Sequence, residues 1–207
     1  AGHNGLVCAC YLARAGLRVR VLERRAVVGG AAVSAEFHPG FRNSVAAYTV
    51  SLLNPKVIRD LRLAVHGLRI VERPVANFVP LEERGGLMIG GGLAATQREL
   101  ARFSARDAER LPRYWAMLER VADVLRQLVL ECPPNVGGGW LDILRAVKVG
   151  RLAKRLDMEA RRDLVELFAK SAAELLEAWF EGEGAKAAFA FDAVVGNYAS
   201  PATPGSA

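Results

Sequence analysis

The feature that most constrains this chain lies at its start, where a glycine turn, a short helix, a strand and an acid follow one another within 23 residues. Gly2-His3-Asn4-Gly5 leads into the run Leu6 to Arg14, whose Leu6, Ala9, Cys10 and Ala13 fall on one helical face. Gly16 stops that run, and Leu17-Arg18-Val19-Arg20-Val21-Leu22 reads as a strand ending at Glu23. This is the order of a dinucleotide-binding fold. Its G-x-G-x-x-G fingerprint uses one glycine for the turn, one for close approach of the backbone to a pyrophosphate, and one for packing helix on strand. Gly2 and Gly5 correspond to the second and third, so the first glycine and first strand would precede Ala1. The chain opens there without Met, and we expect a fragment that also lacks a C-terminal part.

Free N–H groups at the helix start favour a bound anion. Glu23 lies 23 − 2 = 21 residues beyond Gly2, where an acid accepts hydrogen bonds from ribose hydroxyls and disfavours a 2′-phosphate. A glycine turn that merely caps a helix explains Gly2 and Gly5 equally well in isolation. The continuation Glu23-Arg24-Arg25-Ala26-Val27-Val28-Gly29-Gly30 separates the two readings, because it resembles the flavoprotein pattern of an acid, a short spacer and a Gly-Gly doublet, which NAD-dependent dehydrogenases lack. The expected cofactor is therefore FAD, and the expected cofactor-binding residues are Gly2, His3, Asn4, Gly5, Glu23, Arg24, Gly29 and Gly30.

At these residues the chain resembles the phytoene desaturase-related FAD oxidoreductases, within the wider amine oxidase and carotenoid desaturase group. The likeness is greatest to the branch that contains pyridine nucleotide-disulfide oxidoreductase domain-containing protein 2. It rests on Gly2 to Leu6, Gly29 to Ala32, Pro39-Gly40-Phe41-Arg42, Phe103 to Glu109, and Ala188 to Asp192 with Ser200 to Gly205. It implies an α/β, Rossmann-like FAD/NAD(P)-binding fold, truncated, with an inserted, mainly helical α+β substrate domain. Residues 1–52 would be the FAD-binding part, and 53–207 a partial substrate or cap domain. The implied activity is removal of hydride equivalents from an apolar organic substrate. An amine oxidase-like flavoenzyme and a non-catalytic flavin-fold interaction protein are the alternatives.

Other features narrow the function. Disulfide reduction needs a redox pair such as C-x-x-C, whereas Cys8 and Cys10 are two apart and Cys132 stands alone; buried structural cysteines are expected. Three cysteines also fit a reducing compartment, cytoplasmic or, in a eukaryote, the mitochondrial matrix. His3, His38 and His66 have no ligand spacing, so no metal is expected. A net charge of +6 over 207 residues does not call for nucleic acid. No catalytic residue is assigned, since flavin chemistry needs no protein nucleophile.

Beyond residue 52, Asn54-Pro55 starts a helix expected to reach His66, and short strands are expected at Leu68–Val71, Ala76–Leu81 and Leu87–Ile89, with a turn at Gly85-Gly86. Thr96 and Glu99 suggest a capping box. Helices are expected over Asp107–Glu131, with Leu111, Tyr114, Leu118, Ala122, Leu125 and Val129 on one face, and over Trp140–Leu156 and Met158–Phe180. Arg145, Lys148, Arg151, Lys154 and Arg155 include no acid among them, with Leu141, Leu144, Leu152 and Leu156 at helical spacing. A solvated face on a core helix is the preferred reading of Arg145 to Leu156, and peripheral contact with an anionic membrane is the other.

Overall fold

The computed structural model describes residues 1–81, 85–135, 137–196 and 198–207, without the side chains of residues 152, 153 and 155. It divides into two compact units, Ala1–Glu72 and Arg73–Ala207.

In the first unit, helix α1 (His3–Arg14) ends in a Schellman motif: Gly16 takes φ +82°, its amide donates to the Ala13 carbonyl, and that of Leu17 donates to Leu12. A turn of 3-10 helix covers Gly30–Ala32. Strands β1 (Ser34–His38) and β2 (Phe41–Ser44) form an antiparallel hairpin around Pro39-Gly40, where Gly40 has φ +81°. Helix α2 (Pro55–Asp60) begins as the sequence suggests, with the Asn54 side chain accepting from the Lys56 amide and Pro55 at the first position. It stops at Asp60 rather than His66, in a tight turn that puts Arg62 at φ +50°. Asp60 fastens it to α1: the Tyr11 hydroxyl donates to its carboxylate at 2.8 Å, and Arg14 donates to its carbonyl. That tie holds α2 within the first unit.

Two expected strands do not form. Leu17–Leu22 and Leu68–Val71 have no ladder among the described residues, and Leu22 is 80% exposed. A β-branched run becomes a strand only where a neighbour takes up its N–H and C=O groups. The parallel sheet is accordingly reduced, among the described residues, to one parallel bridge between Gly2 and Gly29.

The second unit has a packed core. Strands β3 (Asn77–Leu81) and β4 (Gly85–Ile89) pair antiparallel, so Gly85 and Gly86 lie in a strand rather than a turn, and residues 82–84 lie outside the description. Helix α3 (Leu93–Ala101) starts behind Gly92 at φ +85°; the expected capping box is not one, because Thr96 is buried inside the helix and its Oγ1 bonds the Gly90 amide instead. Helix α4 (Ala105–Leu128) is capped by Ser104, which accepts from the Asp107 amide. Its buried stripe is Leu111, Tyr114, Met117, Val121 and Val124, whereas Leu125 and Val129 are exposed, so the true face is rotated from the expected one.

Helices α5 (Trp140–Arg155), α6 (Met158–Ala169), α7 (Ala172–Trp179) and α8 (Glu183–Val194) complete the unit. The single helix expected from Met158 to Phe180 is two, because Ser171 and Glu174 form a reciprocal capping box that restarts the chain. Tyr114 packs edge-on to Phe180 at 5.0 Å and contacts Trp179 and Phe189, while Leu87, Ile89, Leu100 and Leu111 close the cluster. Asp107, 1% exposed, accepts from the Glu181 and Gly182 amides at 2.9 Å each, which locks the first turn of α4 to the start of α8.

Candidate functional site

The glycine turn, the acid and the doublet, far apart in the chain, meet in the first unit. Gly2 precedes α1 with φ −79° and ψ 171°, and no side chain caps the helix. The first intrahelical bond runs from the Leu6 amide to the Gly2 carbonyl at 3.0 Å, so the amides of the opening turn have no acceptor within the helix. His3, Asn4 and Gly5 in that turn are exposed. An open, uncapped helix start of this kind suits an anion.

Gly29 and Gly30 lie against Gly2. The Gly29 amide donates to the Ala1 carbonyl at 2.8 Å, and a Cβ at Gly30 would come 2.9 Å from the Gly2 Cα. Gly30 also has φ +58° and Gly29 has φ +135°, so both steric space and backbone conformation call for glycine here. Gly5 differs: a Cβ there would meet nothing within 4 Å, and the described residues give it no helix-on-strand packing role.

Glu23 sits at the same corner. Its Oε2 accepts from the Ala1 amino group at 2.6 Å and its Oε1 from the Arg25 amide at 2.9 Å. The Arg24 side chain is exposed. Two participants carry no sequence signal of their own: the Ala1 carbonyl, and Val33, the buried side chain beneath Gly29 whose carbonyl accepts from Val45. A main-chain acceptor leaves no trace in residue type, and Val33 is marked only as an apolar residue following the doublet.

The cysteines overturn an expectation. Cys8, Cys10 and Cys132 are all exposed thiols, because α1 buries no residue and Cys132 follows the end of α4. No cluster of metal-ligating side chains occurs among the described residues.

Residues 1–62 match the NAD(P)-binding Rossmann-like domain. The whole chain is similar to pyridine nucleotide-disulfide oxidoreductase domain-containing protein 2 of Rattus norvegicus and of Mus musculus, each 38% identical over 100% of this chain and 38% of the relative. A limonene dehydrogenase subunit of Castellaniella defragrans is 37% identical over 59% of this chain and 22% of its own length. The chain thus spans under half the length of the curated relatives it matches, and no solved structure matches it. The likeness over the whole of this chain means that it belongs to the family of pyridine nucleotide-disulfide oxidoreductase domain-containing protein 2.

Proposed function

We propose that the full-length protein is an FAD-dependent oxidoreductase that removes hydride equivalents from an apolar organic substrate, and that the first unit recognises the ADP half of the flavin. The observation that carries this reading is the approach of Gly30 to Gly2 beside an uncapped α1 and the Glu23 carboxylate. A Cβ at Gly30 would fill the cradle. In this arrangement the main-chain amides of His3, Asn4 and Gly5 donate to the diphosphate, and the helix dipole adds to their pull. Glu23 has acceptor capacity left on both oxygens after its contacts with Ala1 and Arg25, and that capacity serves the ribose hydroxyls. Its charge repels a 2′-phosphate. Bound FAD supplies the hydride-accepting chemistry, and the protein supplies position and exclusion of water. The second unit, with its helical core, serves as part of the substrate domain. The name of the Castellaniella relative, a limonene dehydrogenase subunit, supports an apolar substrate.

The test is to denature the purified full-length protein and identify the nucleotide released. FAD is expected; NAD alone, or no nucleotide, would overturn the assignment. In the same protein Glu23→Ala weakens FAD retention by about 1 to 3 kcal/mol, the scale of a lost charge-assisted hydrogen bond. Equal FAD affinity in that variant would make Glu23 a structural acid.

A further inference from the structure

We propose that α5, with the last turn of α4, is a docking face for an anionic membrane surface. Helix α5 offers its apolar side chains to solvent: Trp140 is 69% exposed, and Leu141, Ile143, Leu144 and Val147 are exposed as well. Trp140, Ile143, Leu144 and Val147 follow the i, i+3, i+4, i+7 pattern that puts them on one side of the helix. Val129 and Leu130, where α4 ends, are exposed too. A helix whose ordinary core stripe faces outward needs a partner with an apolar interior.

Charge identifies that partner. Arg151 and Lys154 continue the same side of α5 toward its C-terminal end, Lys148 flanks it, and no acid occurs from Ile143 to Leu156. Lys148 pairs with Glu131 at 2.7 Å and Arg145 with Asp142 at 2.8 Å, while Arg151 has no ion pair among the described residues. Between the two helices lies a cavity of about 490 Å³, lined among others by Gln127, Glu131, Cys132, Arg145, Lys148 and Arg151; its carboxylate, Glu131, is taken up by Lys148, which leaves Arg151 to meet a lipid headgroup phosphate. A tryptophan and aliphatic side chains at one end of a helix face, with lysine and arginine at the other, match the boundary between acyl chains and anionic headgroups. No helix among the described residues is long and apolar enough to cross a membrane, so the contact is peripheral. Leu152 and Arg155, which the sequence pattern includes, have side chains outside the description and carry none of the argument.

The full-length protein is mixed with vesicles of phosphatidylcholine alone and of phosphatidylcholine with phosphatidylserine, and sedimented. Binding to the anionic vesicles only is expected, weakening with added salt, with blue-shifted tryptophan fluorescence that Trp140→Ser removes. Each headgroup-facing cation contributes about fivefold, so Lys148→Gln/Arg151→Gln/Lys154→Gln together lower binding by roughly a hundredfold. Unchanged circular dichroism and melting of these surface variants show that they fold. No binding to anionic vesicles, as when another part of the chain or a second copy covers this face, overturns the proposal, as does equal binding by the triple variant. The readout is independent of flavin content, so the proposal does not stand or fall with the FAD assignment.

Discussion

The two units bury apolar side chains in very different measure. In Ala1–Glu72 the buried apolar side chain is Val33, while Leu17, Val21, Leu22, Val27, Val28, Phe37 and Phe41 face solvent. In Arg73–Ala207 a continuous cluster runs from Leu87 and Ile89 through Leu100, Leu111 and Tyr114 to Leu175, Leu176 and Phe180. The nucleotide site we propose nevertheless lies in the first. A site made of main-chain amides, glycine contacts and one carboxylate takes its local shape from short-range geometry, and it needs a core only to resist unfolding. The second unit has the reverse character, with a well-filled interior.

The sharpest way to break this contrast is a core truncation. Leu111, fully buried, contributes by both transfer and packing, so Leu111→Ala is expected to cost about 2 to 5 kcal/mol in denaturant unfolding followed by tryptophan fluorescence. Hydrogen exchange on the wild-type chain should show the same asymmetry, with stronger protection over Leu111–Val124 than over Leu17–Leu22. The opposite order of protection would mean that the first unit is held by more than its visible contacts.

Alkaline unfolding sharpens the comparison. Burial, and then the charge of Asp192, push the Tyr114 hydroxyl up to about 12. An unfolded chain gives up that proton near 10, so the native state binds more protons between the two values and its stability falls as pH rises through that window. The loss approaches about 3 kcal/mol at the top of the window, and Tyr114→Phe should abolish this part of the pH dependence. A similar slope in the phenylalanine variant would place the titrating group elsewhere.

In the first unit the expected effects on stability are smaller. Gly30→Ala puts a Cβ 2.9 Å from the Gly2 Cα at a backbone φ of +58°, which costs about 1 to 2 kcal/mol locally. Its clearer signature is loss of FAD from the full-length protein with the second unit's melting unchanged. Glu23 gives the smallest effect: its Oε1 accepts from the Arg25 amide at an exposed corner, and Glu23→Ala should cost about 0.5 to 1 kcal/mol there, read by faster exchange at the Arg25 amide.

Several of these elements are legible in the sequence, and the reasons differ. Asn54-Pro55 signals a helix start by local chemistry alone, and the structure uses it so. Gly2, Glu23, Gly29 and Gly30 can be grouped from their spacing, and they lie at one corner of the first unit. Leu17–Leu22 misleads because strand propensity speaks only of residues that find a neighbour. Met158–Phe180 looks continuous because apolar spacing runs across Ser171, although Ser171-Ala172-Ala173-Glu174 spells a capping box that divides it. Asp107 read as a helix start hides its second task, since a long-range acceptor for Glu181 and Gly182 has no local pattern. Residue type alone places the cysteines inside, and in α1 there is no interior to receive them.

The parallel bridge between Gly2 and Gly29 has a kinematic consequence. Because the two loops hold each other through main-chain atoms, displacement of one carries the other, and the corner behaves as a single hinge leaf rather than two independent flaps. A ligand that engages α1 therefore finds the doublet already in attendance, and side-chain variation between Arg24 and Val28 leaves that coupling untouched.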